Sequence, residues 1–230
     1  MSTIHFIGGE KGGVGKSVTS RLLAQYYVDT QQPLIVFDSD RSHGALLRFY
    51  SEFCLPVNLD DFESSDQIME AASEDDRAII VDLAAQTAAA LQKWTAQSDL
   101  PGLAQELGVP LWYWHVMDDG RDTLTVLDDL LNTFGDTLGY VIVRNHGRGK
   151  DFTPFNTSEV CQRAIAANAR FFDLGELHGN TMKKIDHLGI SFWAAANNKD
   201  AGLGLLERQR VRVWLKNCYK QLEGLDCLRS

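Results

Sequence analysis

The stretch that most constrains this chain is Gly9-Glu10-Lys11-Gly12-Gly13-Val14-Gly15-Lys16-Ser17, set between the apolar run Ile4 to Ile7 and a segment carrying Val18, Leu22 and Tyr26 at four-residue spacing. An apolar run followed by helical periodicity reads as a strand feeding a helix. Glycines at the junction let the backbone pass close to a ligand where a Cβ would not fit. Successive N–H groups of such a turn face inward as an anion nest, and the helix starting near Lys16 adds the positive end of its dipole. A lysine and a hydroxyl at the helix start complete a phosphate loop: Lys16 reaches the β- and γ-phosphates of a nucleotide, and the Ser17 hydroxyl holds Mg²⁺. The G-x-x-x-x-G-K-[ST] pattern has glycine where this chain has Glu10. A glycine-rich turn with no ligand is the alternative reading, and it leaves Gly15-Lys16-Ser17 unexplained.

Short apolar runs alternate with helix-period segments along the rest of the chain. Leu34 to Phe37 ends at Asp38, Ala78 to Val81 ends at Asp82, and Leu111 to Val116 precedes a helix over Thr123 to Phe134. Tyr140 to Val143 ends at Arg144-Asn145, Phe171 to Leu174 is a further candidate strand, and a long helix spans Leu205 to Leu222. This alternation predicts an α/β fold: a mostly parallel, twisted sheet with helices on both faces. The glycine-rich loop His146 to Asp151 is too short for a linker, so residues 1–230 read as a single domain.

Twenty-two basic against 31 acidic residues leave a net charge of −9, which argues against a wholly nucleic-acid-coating surface but leaves room for a local basic patch. Cys54, Cys161, Cys218 and Cys227 are scattered and form no C-x-x-C pair, so zinc and iron–sulfur chemistry have no support and free thiols suit a reducing compartment. With no leader-like start and no run near the roughly 18 apolar residues that span a bilayer, the expectation is a soluble, cytoplasmic protein.

In an open parallel sheet, ligand chemistry gathers at the carboxyl ends of the strands. Asp38, Asp40 and Asp82 stand there, although an aspartate in such a place also serves to cap a turn. Lys11 narrows the reading. The run Lys11-Gly12-Gly13-Val14-Gly15-Lys16-Ser17 resembles the deviant phosphate loop of the ParA/MinD family of ATPases, in which a second lysine precedes the usual one by five residues. The resemblance implies a P-loop fold, ATP and Mg²⁺ as ligands, and a nucleotide-sandwich homodimer when ATP is bound, with Lys11 crossing to the partner's phosphates. It assigns nucleotide contacts to Gly12, Gly13, Val14, Gly15, Lys16, Ser17 and Val18. Asp38-Ser39-Asp40 resembles the family's first switch, in which Asp40 would orient the attacking water and Asp38 would support the metal or the catalytic loop. Asp82 looks like the Walker B carboxylate, binding Mg²⁺ directly or through water. Asn145 stands where the family places an asparagine that reads the adenine edge, a task an amide can perform with its donor and acceptor together; its tolerance of turns is the other reading. No N-K-x-D motif is present, which favours ATP over GTP. Arg41 and Ser42 after Asp40, and Leu83 to Thr87 after Asp82, depart from the family pattern and bear on hydrolysis more than on binding.

The last helix carries an apolar stripe of Val211, Leu215, Cys218 and Leu222 with Trp214 beside it, while Arg208, Arg212, Lys216 and Lys220 follow at four-residue spacing. That basic line is either a solvated face or a surface for nonspecific DNA, as in related ATPases. Its polar terminus does not suit membrane targeting. Trp112 and Trp114 read as core, and His115 with Asp118-Asp119 as loop residues. Met182 to Trp193 and Leu206 to Arg210 look like the conjugation and plasmid-stability branch of TraL/StbC type. The combined expectation is an ATPase: an ATP-dependent dimerising switch that positions, partitions or transfers a cargo such as plasmid DNA or a conjugation complex, with a partition or conjugation protein as partner. A nucleotide-sensing adaptor with little turnover and a P-loop small-molecule kinase are the alternatives.

Overall fold

The computed structural model describes residues 1–9, 12–40 and 44–228. Its strands are β1 (Thr3–Gly8), β2 (Leu34–Asp38), β3 (Cys54–Pro56), β4 (Ala78–Asp82), β5 (Leu111–Met117), β6 (Gly139–Asn145) and β7 (Arg170–Leu174). They form one sheet in the order β3-β2-β4-β1-β5-β6-β7, with every neighbouring pair parallel. Parallel neighbours need long crossovers, and helices supply them. The helices are α1 (Lys16–Asp29), α2 (Ala45–Phe49), α3 (Phe62–Glu74), α4 (Ala88–Gln97), α5 (Leu100–Leu107) and α6 (Asp122–Phe134), then α7 (Thr153–Asn156), α8 (Glu159–Ala166), α9 (Gly179–Leu188), α10 (Phe192–Asn197) and α11 (Leu205–Leu222).

Both faces of the sheet are covered, which is why its strands read as nearly continuous apolar runs and not as alternating ones. One core joins Ile7, Trp114 and Val141 of the sheet to α1, α2, α9, α10 and α11; the other joins Ile4, Phe6, Val81 and Tyr140 to α3, α4, α5, α6 and α8. The stripe Val211, Leu215, Cys218 and Leu222 is buried with Trp214, as its spacing predicts. Trp114 is fully buried and Trp112 packs at the margin of the same core.

One expectation is corrected. The strand over Leu111 to Val116 is present and runs on to Met117, so His115, paired in register with Gly8 and Ile142, is a strand residue and not a loop residue. The polar imidazole interrupts the apolar pattern, yet burial holds it neutral, its pKa lowered to about 4. β3 was not anticipated, because Cys54-Leu55-Pro56 has no alternation and its proline fits only a sheet edge. A second buried imidazole, His5, accepts at Nδ1 from Trp114 Nε1 at 3.2 Å and faces the Tyr27 hydroxyl across 2.9 Å from Nε2. Among the described residues no helix is long and apolar enough to cross a membrane.

Candidate functional site

The strand order sets the carboxyl ends of β2, β4 and β1 side by side. Asp38 is in register with Asp82, and Asp82 with Ile7, so both carboxylates stand next to the turn that leaves β1. Gly12 and Gly13 are exposed, and a Cβ built on either would meet nothing within 4 Å. Gly13 (φ +81°) and Gly15 (φ +108°) hold left-handed backbone that other residues rarely adopt. Gly15 also caps α1, so Lys16 and Ser17 occupy its first turn. Lys16 Nζ reaches back across the loop to donate to the Gly9 carbonyl at 2.8 Å.

Asp82 is 3% exposed. Burial pushes its carboxyl up to about 7; the Ser20 hydroxyl pulls against that, the Asp38 charge adds to it, and the Ser17 hydroxyl and Lys16 pull it down. Ser20 Oγ donates to Asp82 Oδ1 at 2.8 Å. Asp38 serves the next helix: Oδ1 accepts from the Asp40 N–H at 3.0 Å, and Oδ2 from the N–H groups of Leu46 at 2.9 Å and Leu47 at 3.4 Å. Burial raises the Asp38 carboxyl, and those three N–H groups oppose the rise. Its geometry is therefore that of a helix-start and turn cap, the alternative set out from the sequence. Asp40 is half-buried at the mouth of the same turn. Lys11, Arg41 and Ser42 lie outside the described residues.

Sequence reasoning missed Ser20 and Ser39. Ser39 Oγ donates to the Asp82 carbonyl at 3.0 Å and accepts from the Ala84 N–H at 2.8 Å, stitching β2 to the end of β4. Ser20 carried a readable signal, since it lies three and four residues beyond Ser17 and Lys16, on their face of α1.

Asn145 ends β6 and turns inward to the loop, with Nδ2 donating to the Val14 carbonyl at 2.6 Å and Oδ1 accepting from the Gly147 N–H at 3.0 Å. Beside it a cavity of about 160 Å³ is lined by Val18, Asn145, Arg148, Leu177, Met182 and Asp186, among others. Val18 therefore sits at the edge of the loop, between the core and that cavity.

The basic line on α11 is distant in role from these groups and unequal along its length. Arg212, Lys216 and Lys220 are exposed, whereas Arg208 is half-buried and donates from Nη1 to the Leu203 carbonyl at 2.8 Å.

A strand, a glycine loop and a helix start, with two carboxylates on neighbouring strands, in a seven-stranded parallel sheet define the MinD/ParA P-loop fold. MinD from Pyrococcus horikoshii OT3, complexed with Mg-ADP, superposes with a TM-score of 0.58 at 12% identity, covering 97% of this chain and 98% of that one. No family model matches the chain. Among curated proteins it is a distant, full-length relative of Protein MobD from Acidithiobacillus ferrooxidans, 27% identical over 229 residues and 97% of each chain. It is likewise 24% identical over 245 residues to Protein TraL of Escherichia coli, covering 99% of this chain and 100% of TraL.

Proposed function

We propose that this chain is an ATP-operated switch that dimerises around bound nucleotide, hydrolyses it slowly, and presents its ATP state to a plasmid partition or transfer complex. The observation that carries the reading is the convergence of the Gly12–Ser17 loop with Asp82 and Asp38 at three adjacent strand ends. MinD's complex with Mg-ADP supports a nucleotide in this fold, and the full-length likeness to TraL and MobD supports the transfer setting.

The loop N–H groups and Lys16 would bind the phosphates. The oxygen donors of Ser17 and Asp82 fit Mg²⁺, a hard cation that takes one or two protein ligands and completes its shell from phosphate and water. Ser17 and Ser20 already direct hydroxyls at the Asp82 carboxyl, and a buried carboxyl pushed up to about 7 has a standing demand for positive charge. Once bound, the ion would neutralise phosphate charge. Asp40 would orient water toward the γ-phosphorus, whose bond to the bridging oxygen breaks to give ADP and inorganic phosphate. Asp38 would hold the switch turn through the N–H groups of Asp40 and Leu46. Lys11 of a second copy would meet the developing charge, as an arginine finger does. Nonspecific DNA would track the exposed Arg212, Lys216 and Lys220, with Arg208 contributing less.

Mg²⁺-dependent ATP turnover and ATP-dependent dimerisation of Lys11→Ala and Asp40→Ala test this. Lys11→Ala should lose both, and Asp40→Ala should keep dimerisation while losing turnover. Wild-type behaviour in both variants would sink the proposal. ATP binding without turnover in the wild type would recast the protein as a nucleotide-sensing adaptor.

A further inference from the structure

The family resemblance makes Asn145 a reader of the adenine edge, but its hydrogen bonds lead to the protein's own backbone. Nδ2 donates to the Val14 carbonyl at 2.6 Å, Oδ1 accepts from the Gly147 N–H at 3.0 Å, and the residue is 5% exposed. The Asn145 carbonyl in turn accepts from the N–H groups of Arg148 at 3.0 Å and Gly149 at 2.9 Å, so the whole 145–149 turn is wound around this residue. On the other side, a Cβ added to Gly15 would collide with Asn145 Nδ2. The phosphate loop thus has a glycine where the amide approaches most closely.

One peptide unit explains what this contact does. The Val14 carbonyl and the Gly15 N–H belong to the same planar trans amide and point in opposite directions. Pinning the carbonyl toward Asn145 aims the Gly15 N–H to the opposite side, into the turn that receives phosphate. We infer that Asn145 is a positioning residue for phosphate: it latches the Val14–Gly15 peptide and couples that peptide to the 145–149 turn beside the cavity. The latch acts on any ligand carrying the polyphosphate, with or without a base. This inference rests on the nucleotide reading above.

The test compares equilibrium affinities of wild type, Asn145→Ala and Asn145→Asp for Mg-ATP, Mg-GTP and Mg-tripolyphosphate, a ligand with no base. Loss of one buried hydrogen bond that orients the loop predicts roughly ten-fold weaker binding. Asn145→Ala should weaken ATP and tripolyphosphate by the same factor and leave the ATP-to-GTP ratio unchanged. Weaker ATP binding with unchanged tripolyphosphate binding and a collapsed ATP-to-GTP ratio would make Asn145 a base reader and overturn the inference, as would unchanged affinity for all three. Asn145→Asp covers failure of the alanine variant to fold. It keeps the size and the acceptor for Gly147 but turns an oxygen onto the Val14 carbonyl, and it should show the same equal loss; a loss confined to ATP overturns the inference. A wild type that binds neither ATP nor tripolyphosphate would overturn the nucleotide reading itself. That result is distinct from a base-only effect in the variants.

Discussion

Replacing Ser20 with alanine removes the hydroxyl that donates to Asp82 Oδ1 at 2.8 Å. Ser20 is 0% and Asp82 3% exposed, so water cannot take the hydroxyl's place without rearrangement. At pH 8 Asp82 is mostly ionised, because burial carries its carboxyl only to about 7. A hydrogen bond to a charged group contributes about 1.5–3 kcal/mol. Alanine regains about 0.5 kcal/mol as the better helix former in α1, so the expected net loss is about 1–2.5 kcal/mol. The pH dependence has a definite sign. The folded carboxyl titrates above its ordinary value of 3.8, so its protonated form favours the fold fully below that value. That contribution is lost as pH rises through about 7. At pH 5.5 the folded Asp82 is protonated, Ser20 meets a neutral group, and the loss shrinks below about 1 kcal/mol. Urea unfolding of the nucleotide-free wild type and Ser20→Ala at the two pH values reads both numbers. Equal losses at pH 8 and 5.5, or a loss under about 0.5 kcal/mol at pH 8, would refute the claim that Ser20 holds an ionised Asp82.

Two further predictions concern other parts of the molecule. Charge reversal of Arg208, Arg212, Lys216 and Lys220 together should remove retention of nonspecific DNA, and reversal of the three exposed residues alone should flatten the logarithmic salt dependence by roughly three units. Arg208→Ala alone should change that slope by less than one unit, and DNA affinity unchanged after reversal of all four rejects the surface. His5 and His115 are buried with pKa values lowered to about 3 and about 4, so the unfolded chain binds protons that the folded one refuses as pH falls below 6.5. Their effect is therefore opposite in sign to that of Asp82: stability present above pH 6.5 is lost on acidification, by about 1.4 kcal/mol per pH unit for each imidazole. His115→Gln should reduce the slope of unfolding free energy between pH 6 and 4.5 by about that amount, measured against wild type, and an unaltered slope would show that His115 titrates normally in the fold.

Sequence reading located the strands that are buried on both faces, because burial forces them into nearly continuous apolar runs: Ile4 to Ile7, broken only by His5, and Leu34 to Phe37 and Ala78 to Val81, each ending at an aspartate, are the examples. It placed the loop and the two carboxylates in one row, since parallel topology carries strand ends to a common edge. It did not reveal β3, which has 3 residues and gains its order from pairing with β2. Nor did it reveal what Asp38 and Asn145 touch. Asp38 satisfies Leu46 across the turn that follows β2 and Asn145 satisfies Val14 from far along the sequence, and neither pairing follows a helical or strand period. His115 lies within the run Leu111 to Val116 that reads as a strand, as His5 does in Ile4 to Ile7, so only its separate assignment to a loop, made from its polar side chain, fails. The basic line on α11 was legible as spacing, but the capture of Arg208 by the Leu203 carbonyl was not.

The central claim is that ATP, and not ADP, joins two copies of this chain. Solution mass measured by sedimentation in Mg-ATP and in Mg-ADP tests it most directly, with Lys16→Ala as the control that cannot hold the phosphates. The expected result is a species of twice the 25.7 kDa chain mass in Mg-ATP for the wild type, and the single-chain mass in Mg-ADP and for Lys16→Ala in either nucleotide. A wild-type mass that is the same in both nucleotides, at protein concentrations where ATP is fully bound, would contradict it.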